Sequence, residues 1–191
     1  SSLGQGTDWQ NEIFRTAIMK SYHLGIGGGS ENSNYYLSGG YLSQQGIVKN
    51  SGYERYTFNT KVDHQLRKRL KVGTSMNLAY YNRSQVYATD PVNSVLANAL
   101  SMDPITKPYS GKGGDSLYSS SDGRTDVPNP LGRLQNSTNI YKGINLLGNW
   151  YGEYELLKNL KFKSSLGFQE SNVTNNQYDG RYFNITDNGK V

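Results

Sequence analysis

The sequence contains no cysteine, which excludes a disulfide framework and any thiolate-ligated metal centre. It also lacks any apolar run near the ~18–20 residues that a transmembrane helix needs. Mean hydropathy is −0.71 and the hydrophobic fraction 35%. A helical membrane protein is therefore excluded. A membrane β-barrel is not, because barrel strands alternate apolar with polar residues and keep the mean low. Histidine is scarce. His23 and His64 are the two present, and both read as ordinary strand residues. No G-x-S-x-G nucleophile elbow accompanies them. The run GIGGGS lacks the Lys-[ST] of a phosphate loop, and Asp115, Asp122 and Asp126 lack calcium-loop spacing. No catalytic constellation is present, so an enzyme is not expected, and no metal or other cofactor is expected either. The net charge of +5 is scattered rather than gathered on one stripe. Its one cluster, Arg67, Lys68, Arg69 and Lys71, falls in a turn, so a nucleic-acid partner is not expected.

What the chain does have is tyrosine and glycine: 16 Tyr against 5 Phe, and 22 Gly in 191 residues. Tyrosine joins an apolar ring to a polar tip, which suits membrane–water interfaces and sugar-binding surfaces alike. Within YERYTFNTKVDHQLRKRLKVGTSMNLAYYNRS, Tyr56, Phe58, Thr60 and Val62 alternate with Arg55, Thr57, Asn59, Lys61 and Asp63. After the basic turn, Leu70, Val72, Thr74, Met76, Leu78 and Tyr80 alternate with Lys71, Gly73, Ser75, Asn77 and Ala79. Such strict alternation predicts half-buried strands. The same period runs through 20–29, 34–44, 143–156 and 160–169. Ahead of these, DWQNEIFRTAIM reads as a short helical lead-in with Asp8 as its cap.

The connections sort by length. Those near 30–33, 65–69 and 157–159 are short. Those near 44–52, 84–140 and from 171 onward are longer, and the two kinds alternate. Outer-membrane barrels show this asymmetry, while a soluble sandwich has no reason for it. The expected fold is all-β: about six antiparallel strands of a transmembrane β-barrel, with a long loop carrying a short helix. The reading divides into a lead-in at 1–19, barrel strands at 20–83, a long extracellular loop at 84–140, barrel strands at 141–172 and the start of another extracellular loop at 173–191. Within the long loop, Val95, Leu96 and Ala99 at helical spacing after Pro91 predict a helix over 91–102 that packs these residues inward. The opening residues carry no signal-peptide pattern and read as mid-protein sequence, so an internal stretch of a longer protein is expected.

With the strands placed, DWQNEIFRTA, GGGSENSNYYLSGGYLSQQGIVKNSGYERY, LKVGTSMNLAYYNRS, VLANALSMDP and LLGNWYGEYELLKNLKFKSSLGF stand in an order that resembles the SusC/RagA-like TonB-linked outer-membrane proteins of Bacteroidetes. The resemblance covers most of the chain and weakens in 104–139. It implies a 22-stranded barrel with an internal plug in the outer membrane. It further implies import of glycans or peptides energised by TonB, with a SusD-like lipoprotein as lid. On that reading the apolar parity meets outer-membrane lipid and the polar parity meets a wet lumen. Lys61, Asp63, Glu153, Glu155, Lys161 and Lys163 are then lumenal near the periplasmic end.

Substrate contacts are expected from the long loop and the lumen rim beneath it. By parity Asn77, Tyr81, Asn145 and Asn149 are lumenal, and Tyr109 and Tyr118 are loop aromatics. Rings for stacking and amides for hydrogen bonding suit an oligosaccharide, and peptide remains open. Two further readings stand beside transport: a soluble all-β carbohydrate-binding or adhesin module, and an outer-membrane barrel enzyme.

Overall fold

The computed structural model describes residues 6–86, 94–109 and 127–180. Its elements, in chain order, are α1 (Trp9–Ile13), β1 (Met19–Ser30), β2 (Ser33–Gln45), β3 (Gly52–Arg67), β4 (Leu70–Gln85), α2 (Val95–Ser101), α3 (Pro130–Asn136), β5 (Ser137–Leu157) and β6 (Leu160–Asp179). Every strand pairs antiparallel with the next, giving one 6-stranded sheet in the order β1-β2-β3-β4-β5-β6. Among the described residues β1 and β6 do not pair with each other, so the sheet is open. This is the all-β partial barrel that the alternation predicts.

The register keeps parity across the whole sheet. One hydrogen-bonded row runs Ile26, Leu37, Thr60, Met76, Gly148, Phe168, and the adjacent row on the other face runs Gly25, Ser38, Asn59, Asn77, Leu147, Gln169. A one-residue slip at any pairing would have mixed the faces. Turns at 31–32, 68–69 and 158–159 fix that register. Asn159 takes the left-handed conformation (φ 72) that a tight hairpin asks of its turn residues. Bulges at Gln65/Arg67 and Glu155/Leu157 adjoin two of these turns.

Glycine and tyrosine prove to be linked. On the polar face the Tyr151 ring lies over Gly73 and the Tyr81 ring over Gly143; on the apolar face Phe168 lies over Gly148. A Cβ at any of the three would collide with the ring. Cross-strand rings thus cover the bare backbone that glycine leaves. Gly73→Ala should push the Tyr151 ring aside and cost about 1–3 kcal/mol, as overpacking does. Urea unfolding of the intact protein measures this, and Gly152→Ala, with open space around its Cβ position, is the control.

The sheet is a single layer. Leu24 is 80% exposed, Leu166 67% and Phe162 59%, although all three lie on the apolar face. The buried core sits elsewhere. Trp9, Ile13, Val95, Ala99, Met102, Leu131 and Leu134 form one cluster where α1, α2 and α3 meet, at the long-connection end of the sheet. Trp9 Nε1–H donates to the Asp103 carbonyl at 2.9 Å, and Asn50 Nδ2 donates to the Leu134 carbonyl at 2.8 Å. The lead-in, the 46–51 connection and the described parts of the β4–β5 connection are thereby tied into one helical cap.

The structure departs from the sequence reading at several boundaries. The lead-in is helical only over Trp9–Ile13, with Asp8 capping it through Asn11 N–H; Phe14 then turns extended and bridges to Val48. α2 starts at the Ser94 cap, three residues beyond Pro91, which lies outside the described residues. Val95 and Ala99 are buried, but Leu96 is 43% exposed because it sits on the outer side of a helix whose inner side already meets α1 and α3. α3 was not anticipated, although Asn129 caps it and Pro130 occupies its first turn. β5 begins at Ser137 rather than near 141, and β6 continues to Asp179 through residues read as loop. In 171–179 polar residues occupy both faces, so no alternation marks a strand that pairs with β5 all the same.

Candidate functional site

Two ends of the polar face differ in chemistry. Near the short turns, Tyr151 OH donates to Asp63 Oδ1 at 2.5 Å, and Lys163 Nζ lies 4.4 Å from the Tyr151 ring centroid. Lys161 Nζ pairs with Glu153 Oε1 at 2.9 Å. Acids and bases there answer one another. In the middle, Asn77 donates to Asn59, and Asn59 donates to Ser38 Oγ at 3.2 Å, a ladder of amides across three strands. Ser171 Oγ donates to Asn145 Oδ1 at 2.7 Å.

At the long-connection end, rings and guanidinium groups interleave. Tyr53 pairs with Arg83, and Arg55 with Tyr81, across β3 and β4. Arg83 pairs in turn with Tyr141 on β5. The Tyr53 and Tyr81 rings stand 6.1 Å apart, tilted by 34°, and the Arg83 guanidinium lies 4.7 Å from the Tyr141 ring centroid. Tyr81 is held flat by its seat over Gly143.

Of the residues singled out from sequence, Asn77, Tyr81, Asn145 and Asn149 do share the polar face. They do not converge. Tyr81 belongs to the ring cluster at the long-connection end. Asn145 and Asn77 occupy the two rows below it. Asn149 pairs with Ser75, next to the Asp63 and Tyr151 row. Tyr109 is 43% exposed, and Tyr118 lies outside the described residues, as do Asp115, Asp122 and Asp126. Tyr53, Arg55, Arg83 and Tyr141 were missed. The signal was available: all four carry the odd parity of the polar face on strands already recognised. Among the described residues no group of His, Asp and Glu could hold a metal ion. His64 Nδ1 is spent on Ser33 Oγ at 2.6 Å.

On the apolar face, Tyr22, Tyr41, Tyr56 and Tyr80 form one row with ring centroids 6.4, 4.9 and 6.3 Å apart. The next row outward is Lys20, Ser43, Glu54, Asn82, Lys142. An aromatic row thus bounds the apolar band where polar residues begin. The band also runs obliquely to the rows. Ile26 is its turn-side end on β1, yet its row-mate Phe168 is the opposite end of the band on β6. Strands tilted by about 35–45° to a barrel axis produce this drift.

No protein-family model matches the chain. The TonB-dependent receptor P3 of Formosa agariphila is 33% identical over 172 residues, which is 87% of this chain and 17% of that protein. The TonB-dependent receptor SusC of Bacteroides thetaiotaomicron is 35% identical over 107 residues, 56% of this chain and 10% of SusC. A solved structure of the RagAB peptide importer in its closed-closed state superposes with a TM-score of 0.74 at 21% identity, covering 91% of this chain and 20% of that one. The chain belongs with the TonB-dependent receptors. It spans less than a fifth of the two named relatives. As a stretch of such a receptor, its single-layer sheet has a natural place: strands of a barrel wall are covered by lipid on one side and wetted on the other.

Proposed function

We propose that this chain is part of the wall of an outer-membrane TonB-dependent transporter that takes up oligomeric nutrients, oligosaccharides or peptides. The observation that carries the reading is the apolar face. It extends over six strands, exposes large side chains such as Leu24 and Leu166, and ends on β1 to β4 at a tyrosine row. A soluble sandwich would bury that face under a second sheet. Lipid covers it equally well without one. The polar face then lines the lumen, the short turns face the periplasm, and the helical cap stands at the extracellular mouth. Energy coupling through TonB and a SusD-like lipoprotein at the mouth belong to the same reading and are supported by the relatives' kind. The absence of cysteine in this stretch allows a clean test. Single cysteines at Leu78 and Asn77 of the intact receptor, carrying a fluorophore in bilayers, should respond oppositely to brominated lipid. The label at 78 should be quenched and that at 77 spared. Equal quenching at both, or at neither, would remove the lipid face and the reading with it.

A further inference from the structure

The cations of the polar face are distributed unevenly. Toward the short turns, Asp63, Glu153 and Glu155 accompany Lys61, Lys71, Lys161 and Lys163. At the other end three successive rows pass through Tyr53, Arg55 and Thr57, and none of the three contains an acid on any strand. Arg55 and Arg83 are diagonal neighbours across β3 and β4, a relation that places two side chains about 7–8 Å apart. Both are exposed, and among the described residues neither has an ion-pair partner. Two like charges so close repel, and nothing in the sheet needs them there. The nearest acid on β3, Glu54, points to the opposite face, where it accepts from Tyr41 OH at 3.2 Å.

The rings explain what else the place is built for. Tyr53, Tyr81 and Tyr141 alternate with the two arginines, and Tyr81 is fixed over Gly143. Ring faces take the apolar faces of sugars, and guanidinium forks take carboxylate or sulfate oxygens two at a time. The strand backbones are fully paired in the β3–β4 and β4–β5 ladders, so no free edge is offered to the main chain of a peptide. Resting on the transporter reading above, we infer that Tyr53, Arg55, Tyr81, Arg83 and Tyr141 form a lumenal subsite for an acidic oligosaccharide, one bearing carboxylate or sulfate groups on successive sugars.

The test uses the intact receptor in detergent and isothermal titration with four probes: oligogalacturonate, carrageenan oligosaccharide, maltoheptaose and oligoglutamate. At least one acidic sugar should bind, more weakly as salt rises, and maltoheptaose should not. Arg55→Gln and Arg83→Gln should each weaken that binding by about tenfold or more, since each removes a charge-assisted fork. Lys142→Gln removes the same charge at the same level of β5 but on the other face, and should leave the affinity unchanged. Heat-modifiable mobility on gels checks that each variant is folded. Arg55→Lys, which keeps the charge and loses the fork, serves if the glutamine disturbs folding, and should fall between the two. Acidic sugars that bind no better than maltoheptaose, binding indifferent to both arginines, or binding of oligoglutamate alone would overturn the inference. The lipid-quenching contrast between residues 78 and 77 does not depend on any ligand. A failure of the subsite with that contrast intact leaves the transporter reading standing.

Discussion

Met76→Arg should cost the intact receptor about 2–4 kcal/mol of folding stability in bilayers, while Ser75→Arg, one residue away, should cost little. Met76 lies in the apolar row between Thr60 and Gly148, and Ser75 lies in the polar row between Lys61 and Asn149. An arginine at 76 would carry its charge into hydrocarbon without a partner, far from either interface. At 75 it would stay hydrated, and Asp63 on the neighbouring strand is near enough to soften its repulsion with Lys61. Urea titration of folding into phosphatidylcholine vesicles reads both numbers. Equal costs at the two positions would mean that the two faces do not meet different media.

Trp9→Ala should release the helical cap and spare the sheet. Trp9 is 3% exposed, donates its indole N–H to the Asp103 carbonyl, and touches the cluster that joins α1 to α2 and α3. Removing a buried tryptophan costs about 3–5 kcal/mol, which is large for a cluster of seven buried side chains. The cap meets the strands mainly where α3 runs into β5. Its loss should therefore speed hydrogen exchange at Ala97, Asn98 and Ala99 by at least a hundredfold, while amides of β3 and β4 exchange as before. Proteolysis within 86–136 should quicken in parallel. If exchange in β3 and β4 rises together with that in α2, the cap and the sheet are one cooperative unit, and the division drawn between them is wrong.

Both expectations depend on knowing which side chains share a face, and that much is written in the sequence. Alternation follows from the pleat of a single strand, a local property of bonded geometry. Hence Tyr56, Phe58 and Val62 could be assigned to one side and Arg55, Asn59 and Lys61 to the other before any pairing was known. The positions of the tight turns followed from the same pattern, and so did the asymmetry between short and long connections. Where alternation is missing, a strand leaves no local mark in the sequence. Residues 171–179 are polar apart from Val173 and Tyr178 and carry no alternation, although their backbone groups pair with β5 as regularly as any others.

Pairing between strands, and all that depends on it, was decided by the tertiary structure. Asn77 and Asn145 were placed on the right face from parity, but parity carries no pairing, so only the register put Arg55 and Gly143 beside Tyr81 and Ser75 beside Asn149. The ring-on-glycine seats join Gly73 to Tyr151 and Tyr81 to Gly143 across distant segments. The Arg55–Arg83–Tyr141 cluster gathers three strands, the last of them arriving after the whole β4–β5 connection. The helical cap likewise brings Trp9 to Val95 and Leu131. Burial within each short helix is ambiguous by itself, as Leu96 shows: its spacing matches the inner face, and only the placement of α1 and α3 leaves it outside. Local geometry therefore determined the faces of this protein. Register, which is a relation between segments far apart in the chain, decided which residues on a face stand together, and so where Arg55 and Arg83 meet Tyr53, Tyr81 and Tyr141.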